Sequence, residues 1–154
     1  MAVNLWGLVV GGVLAGGVIA VGFKIFQPVG MRQGHSMATQ DTSRLAQGDP
    51  IATVMVPSEM SPLAQGGKRV FDTKCSDCHG ADAAGREGLA PPLVHKIYEP
   101  SHHGDMSFQL AVQNGVRAHH WRFGNMPPVD GLTNEDVRAI VAYVRELQRA
   151  NGIN

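Results

Sequence analysis

Apolar positions along the chain fall into three regimes. From Leu5 to Phe23 the run LWGLVVGGVLAGGVIAVGF holds nineteen residues without a charge, about 28 Å long as a helix and enough to cross a bilayer's hydrocarbon core. No Lys or Arg precedes it and no small-x-small cleavage site follows, so it reads as a retained anchor at 1–26 rather than a cleaved leader. Residues 27–60 keep no helical or strand period and are broken by Pro28, Pro50 and Pro57. They read as a flexible or partner-bound linker. A flexible chain of that length has an end-to-end distance of roughly 30 Å and reaches on the order of 110 Å when extended. Its one apolar patch, Ile51 to Val56, lies either against a partner or against the neighbouring domain.

Helical periodicity returns in 61–154. Ser61 suits an N-cap, Pro62 the first helical position, and Leu63, Val70 and Phe71 fall near one face. Met106 to Asn114 reads as a second, shorter helix closed by Gly115. Thr133 with Asp136 forms a capping-box pair, after which Val137, Ile140, Val141, Val144 and Leu147 recur at three- and four-residue steps. Nothing reads as a sheet. The expected architecture is all-α, a single transmembrane helix, a linker and a small helical domain.

Composition removes several functions. Thirteen basic residues balance thirteen acidic ones, so the chain lacks the electrostatic footprint that holds nucleic acid. Within 61–154 ten Lys and Arg face ten Asp and Glu, which leaves little long-range steering toward a charged partner. A tether would replace steering with an effective local concentration. The six glycines of the apolar run set Gly7-xxx-Gly11 and Gly12-xxx-Gly16 spacings, which let helix backbones approach closely in lipid. A passive tether and a helix docked on a partner subunit both stay open.

The only two cysteines stand three apart in Cys75-Ser76-Asp77-Cys78-His79, the C-x-x-C-H signature of c-type haem attachment. Two thiols one turn apart can both reach the haem vinyl groups while the adjacent imidazole turns to the iron. A redox dithiol would follow a strand in a mixed fold, and zinc would need further ligands that a second cysteine pair does not supply.

With that motif in place, residues 61 to about 151 resemble the class I c-type cytochromes. Gly67, Phe71, Cys75, Cys78 and His79 are similar to that family's first helix and haem motif. Tyr143 is similar to the aromatic of the last helix that crosses the first. The resemblance implies that Pro91 accepts the N–H of His79, that Leu93 packs on the haem, and that Met126, in Gly124-Asn125-Met126-Pro127-Pro128, is the sixth ligand. A thioether is a soft ligand that favours ferrous iron, and two following prolines stiffen the segment that presents it.

Histidine complicates that assignment. His95, His102, His103, His119 and His120 could each replace Met126, and doubled histidines also bind copper or zinc. Adjacent side chains point apart and no acidic or thiol group completes a shell, so these histidines read as surface groups or, with Trp121 and Arg122, as haem-propionate partners. Iron with two protein ligands has no open position, so the expected role is electron transfer rather than catalysis. The resemblance implies one covalent haem c on the periplasmic side of a bacterial cytoplasmic membrane. It would serve a reductase, oxidase, photosynthetic reaction centre or dehydrogenase in a respiratory or photosynthetic chain, as carrier or as fixed subunit. A haem-based gas sensor or small haem enzyme with a displaceable sixth ligand is the alternative.

Overall fold

The computed structural model describes residues 38–154. The apolar run at 5–23, and with it the expected anchor, lies outside the described residues. Among the described residues no helix is long and apolar enough to cross a membrane. These residues form α1 (Pro62–Lys74), α2 (Ser76–His79), 3-10 turns at Ala81–Ala83 and Lys96–Tyr98, α3 (Asp105–Asn114) and α4 (Asn134–Ala150). They contain no β-strand, and two isolated antiparallel bridges, Arg86 with Ala90 and Val116 with Met126, stand in its place.

The helix ends follow the capping chemistry of the sequence. The Ser61 hydroxyl accepts the Ala64 N–H at 3.2 Å, and Pro62 opens α1. At α4 the Thr133 hydroxyl accepts the Asp136 N–H while the Asp136 carboxylate accepts the Thr133 N–H. Two donors without helical partners are thereby satisfied reciprocally. α3 starts one residue before the expected Met106 and closes on Gly115, whose φ of +73° suits a residue without a Cβ.

The core is the crossing of α1 over α4. Ala64, Phe71, Ile140, Tyr143, Val144 and Leu147 are buried together. Gly67 makes the crossing possible, because a Cβ there would sit 1.8 Å from the Ala139 carbonyl oxygen. The two backbones touch with no side chain between them. Phe71 and Tyr143 meet with ring centroids 5.5 Å apart, a spacing suited to a tilted aromatic pair.

α3 joins this core through one buried cation. Arg145, 8% exposed at its side chain, donates to Asp105 Oδ1 at 2.9 Å, to the Tyr98 carbonyl at 2.6 Å and to the His103 carbonyl at 2.5 Å. It also donates to Gln148 and lies over the Phe108 ring. A buried guanidinium is tolerated only when its donors are matched in this way.

The stretch expected to be a flexible or partner-bound linker lies, from residue 38 onward, along the helical domain. The cause is pairing on both sides of it. The Ile51 N–H donates to Ala84 O, Gln40 Nε2 to Ile51 O, and Arg122 to Thr42 Oγ1 and to the Glu87 carboxylate. Asn151, just past α4, accepts the Met55 N–H and donates back to the Met55 carbonyl, both at 2.8 Å. Of the apolar patch, Ile51 is buried against the domain whereas Met55 and Val56 stay exposed.

Candidate functional site

Cys75 is a pivot between two helices. Its N–H closes α1 onto Phe71 O at 2.8 Å, and its carbonyl accepts the N–H of Cys78 at 3.2 Å and of His79 at 2.8 Å. Cys75, Cys78 and His79 therefore share one helical turn, where residues three and four apart lie on one side. Both thiols are free, Cys75 half-buried and Cys78 exposed. Burial, with the neighbouring Cys78 adding to it, pushes the Cys75 thiol up to about 11. That runs opposite to the lowered values that make a dithiol a redox nucleophile.

The chain then doubles back in a loop where backbone packs on backbone. A Cβ on Gly80 would meet Gly85 O at 2.6 Å, and one on Gly85 would meet Pro92 N at 2.4 Å. Asp82 and Ala83 hold φ of +51° and +59°, a region costly for residues with a Cβ. The Tyr143 hydroxyl donates to Asp82 Oδ1 at 2.9 Å, and the Ala83 carbonyl accepts from Leu93 N. This return delivers the Pro91 carbonyl to 2.9 Å from His79 Nδ1. A carbonyl can only accept, so Nδ1 carries the proton and Nε2 keeps its lone pair. Burial holds His79 below its ordinary value, with the hydrogen bond to Pro91 opposing, which favours the neutral imidazole that binds a metal. Leu93 packs against the main core cluster.

Met126 stands on a lighter support. It exchanges backbone hydrogen bonds with Val116, at 2.9 and 3.0 Å, and Val129 N donates to Val112 O. Gly115 is required here too, because its Cβ would lie 2.5 Å from Met126 O. Between the bridged residues the chain makes a loop that Asn125 ties internally by accepting the Ala118 N–H at 2.9 Å.

The Cytochrome c family matches residues 64–148, the segment that holds all of these groups. The chain belongs to the cytochrome c family. A curated relative, the Cbb3-type cytochrome c oxidase subunit CcoP of Rubrivivax gelatinosus, is 32% identical over 127 residues, 76% of this chain. The chain spans 38% of that relative's length. Membership implies a covalently bound haem c, and this cytochrome's residues fit one. Two unpaired thiols and an imidazole with a free Nε2 share one turn. Trp121 Nε1 is buried beside the Tyr98 hydroxyl and has no other hydrogen-bond partner. It is a donor suited to a propionate.

The other predicted polar groups are spoken for within the protein. Arg122 pairs with Glu87 and Thr42. His95 caps the 3-10 turn by accepting the Ile97 N–H at 3.2 Å, and its ring stands edge-on to Trp121. The two histidine doublets differ from the expectation of imidazoles pointing apart on the surface. Eighteen residues separate His102 from His120, yet their Nε2 atoms lie 3.3 Å apart. No local signal in the sequence joins them, because the fold of the loop between α3 and α4 does so.

Proposed function

We propose that in this cytochrome c Cys75 and Cys78 would hold one haem c covalently, with His79 and Met126 as the residues that would ligate its iron, and that the protein passes single electrons within a membrane redox complex. The observation that carries the reading is the turn that holds both thiols with His79, whose Nδ1 donates to Pro91 O at 2.9 Å. Bound there, haem c supplies a one-electron couple. Cys75 and Cys78 would hold it covalently, Pro91 fixes the tautomer of His79, and Leu93 would pack against it. Met126 would supply the second protein ligand of the iron, which would leave no position for substrate and favour electron transfer over catalysis. The chain contains two cysteines, enough for one doubly attached haem.

The finer reading divides the chain into an anchor at 1–26, a connecting stretch at 27–60 and the haem domain at 61–154. The anchor seats in a bacterial inner membrane with the domain on the periplasmic side. The relative, a subunit of a cytochrome c oxidase by name, supports an integral membrane oxidase or a related respiratory or photosynthetic complex as partner.

Optical spectroscopy of the full-length ferric protein tests the ligand set. A methionine-to-iron charge-transfer band is expected, and Met126→His should abolish it and lower the reduction potential, since a second imidazole favours ferric iron more than a thioether does. A band that survives Met126→His overturns the assignment of Met126. Ready carbon monoxide binding by the ferrous wild-type protein would move the reading to a gas sensor.

A further inference from the structure

Four imidazoles converge at a place that the electron-transfer reading does not use. His102 and His103 follow the Lys96–Tyr98 turn, with both of their N–H groups donating to Glu99 O, at 3.0 and 2.8 Å. His119 and His120 come from the loop bridged by Val116 and Met126. One ring nitrogen from each of His102, His103 and His120 lies within 4.8 Å of the others. The His119 ring stands 4.3 Å from that of His120 and 6.0 Å from that of His103.

We propose that His102, His103 and His120, with His119 beside them, form a second metal site in this cytochrome, a surface site for a single Cu2+ ion. The central distance fits such a site. With metal–nitrogen bonds of 2.0–2.1 Å, two imidazole nitrogens in tetrahedral positions are separated by about 3.3–3.4 Å, and in adjacent square-planar positions by about 2.9 Å. The observed His102 Nε2 to His120 Nε2 separation is 3.3 Å. The third nitrogen needs a closure of up to about 1.5 Å, within reach of a χ rotation of a partly exposed ring.

Ring orientation supplies an independent argument. His103 Nδ1 donates to the Ile97 carbonyl at 2.6 Å and His119 Nδ1 to the Arg117 carbonyl at 2.9 Å. In both rings the proton is fixed on Nδ1 and Nε2 is left as the lone-pair nitrogen, the arrangement that outer partners impose on metal-binding histidines. Between the facing Nε2 atoms of His102 and His120 one N–H lies when no ion is bound, and an ion would displace that proton and take both lone pairs.

The chemistry of the set selects the ion. No Asp or Glu joins the cluster among the described residues, so hard, oxygen-seeking cations such as Mg2+ and Ca2+ find no ligands there. Imidazole donors suit copper, zinc and nickel, and the order of divalent affinities peaks at Cu2+. With no carboxylate to offset the charge of the ion, binding should be reversible and abolished by a strong chelator. An ion held here would also link the turn before α3 to the loop that carries Met126.

The test uses the full-length, haem-loaded protein, stripped by chelator and equilibrated with Cu2+ alone, or with Cu2+ and an equal concentration of Zn2+. Metal retained after desalting is counted by elemental analysis, and the copper signal is read by electron paramagnetic resonance. The expected result is about one copper per chain with nitrogen splitting from imidazole. His102→Asn and His120→Asn should each weaken retention by about tenfold or more with the haem spectrum unchanged. His35→Asn, outside the described residues, should not change it. Copper retained undiminished by His102→Asn with His120→Asn, or lost in His35→Asn, overturns the site. Displacement of most of the copper by Zn2+ overturns the choice of ion. The haem spectrum recorded on the same sample keeps a failure here distinct from a failure of the axial assignment.

Discussion

The two sides of the proposed haem position are built by different means. On the His79 side, α1 and α4 touch backbone to backbone at Gly67 and Ala139, and the loop from Gly80 to Pro92 folds onto itself with no room for a Cβ at two glycines. On the Met126 side, a loop whose residues are mostly exposed is held by scattered contacts: one antiparallel bridge, Asn125, the pairing of Arg122 with Thr42 and Glu87, and the Trp121 ring edge-on to His95. The difference teaches where rigidity is invested. The imidazole is placed by the folding of the whole domain, whereas the thioether is placed by a loop whose alteration is expected to leave the domain folded.

The contrast can be broken most forcefully at the crossing. Gly67→Ala puts a methyl group 1.8 Å from a carbonyl oxygen, and the helices must separate. A loss of more than ~3 kcal/mol is expected, read as a collapse of the thermal midpoint and of holoprotein yield. A midpoint within a few degrees of wild type would show that the crossing tolerates separation. Tyr143→Phe removes the hydrogen bond to Asp82 and should cost about 1 kcal/mol in chemical denaturation.

Asn125→Ala, in the Met126 loop, should cost about 0.5–1 kcal/mol while altering the charge-transfer band of the ferric protein more than Tyr143→Phe does. The reverse order of spectral effects would erase the distinction between the two sides. Smallest is the pH effect at the start of α4. Hydrogen bonds from the Thr133 hydroxyl and N–H hold Asp136 below its ordinary 3.8. A depressed carboxyl contributes stability that is present above 3.8 and lost as pH falls through its folded value. Thermal midpoints of wild type and Asp136→Asn should therefore differ near neutrality and converge in acid. Curves that stay parallel would remove the carboxylate from the account.

Much of this architecture is written in local patterns. Ser61, Thr133 with Asp136, and the Val137 to Leu147 stripe are short-range signals, and the helices form where those signals stand. The C-x-x-C-H spacing needs nothing beyond one turn, so the thiol and imidazole group was legible too. What the sequence withholds are contacts between distant segments that lack a period. The apolar patch at 51–56 signals docking without naming the surface, and it is the contacts of Ile51 with Ala84 and of Met55 with Asn151 that fasten it to the domain. His102 and His120 meet only because the bridge at Val116 and Met126 returns the loop to the turn before α3.

The fastening of residues 38–60 also decides how far the domain could roam from a bilayer. Between the apolar run, which ends at Phe23, and the described residues lie 24–37, fourteen residues that span at most about 50 Å. If the apolar run is seated in lipid as proposed, that length sets an upper bound on the distance of the domain from the bilayer. Docking partners would have to come within that radius, and electron exchange would be confined to it.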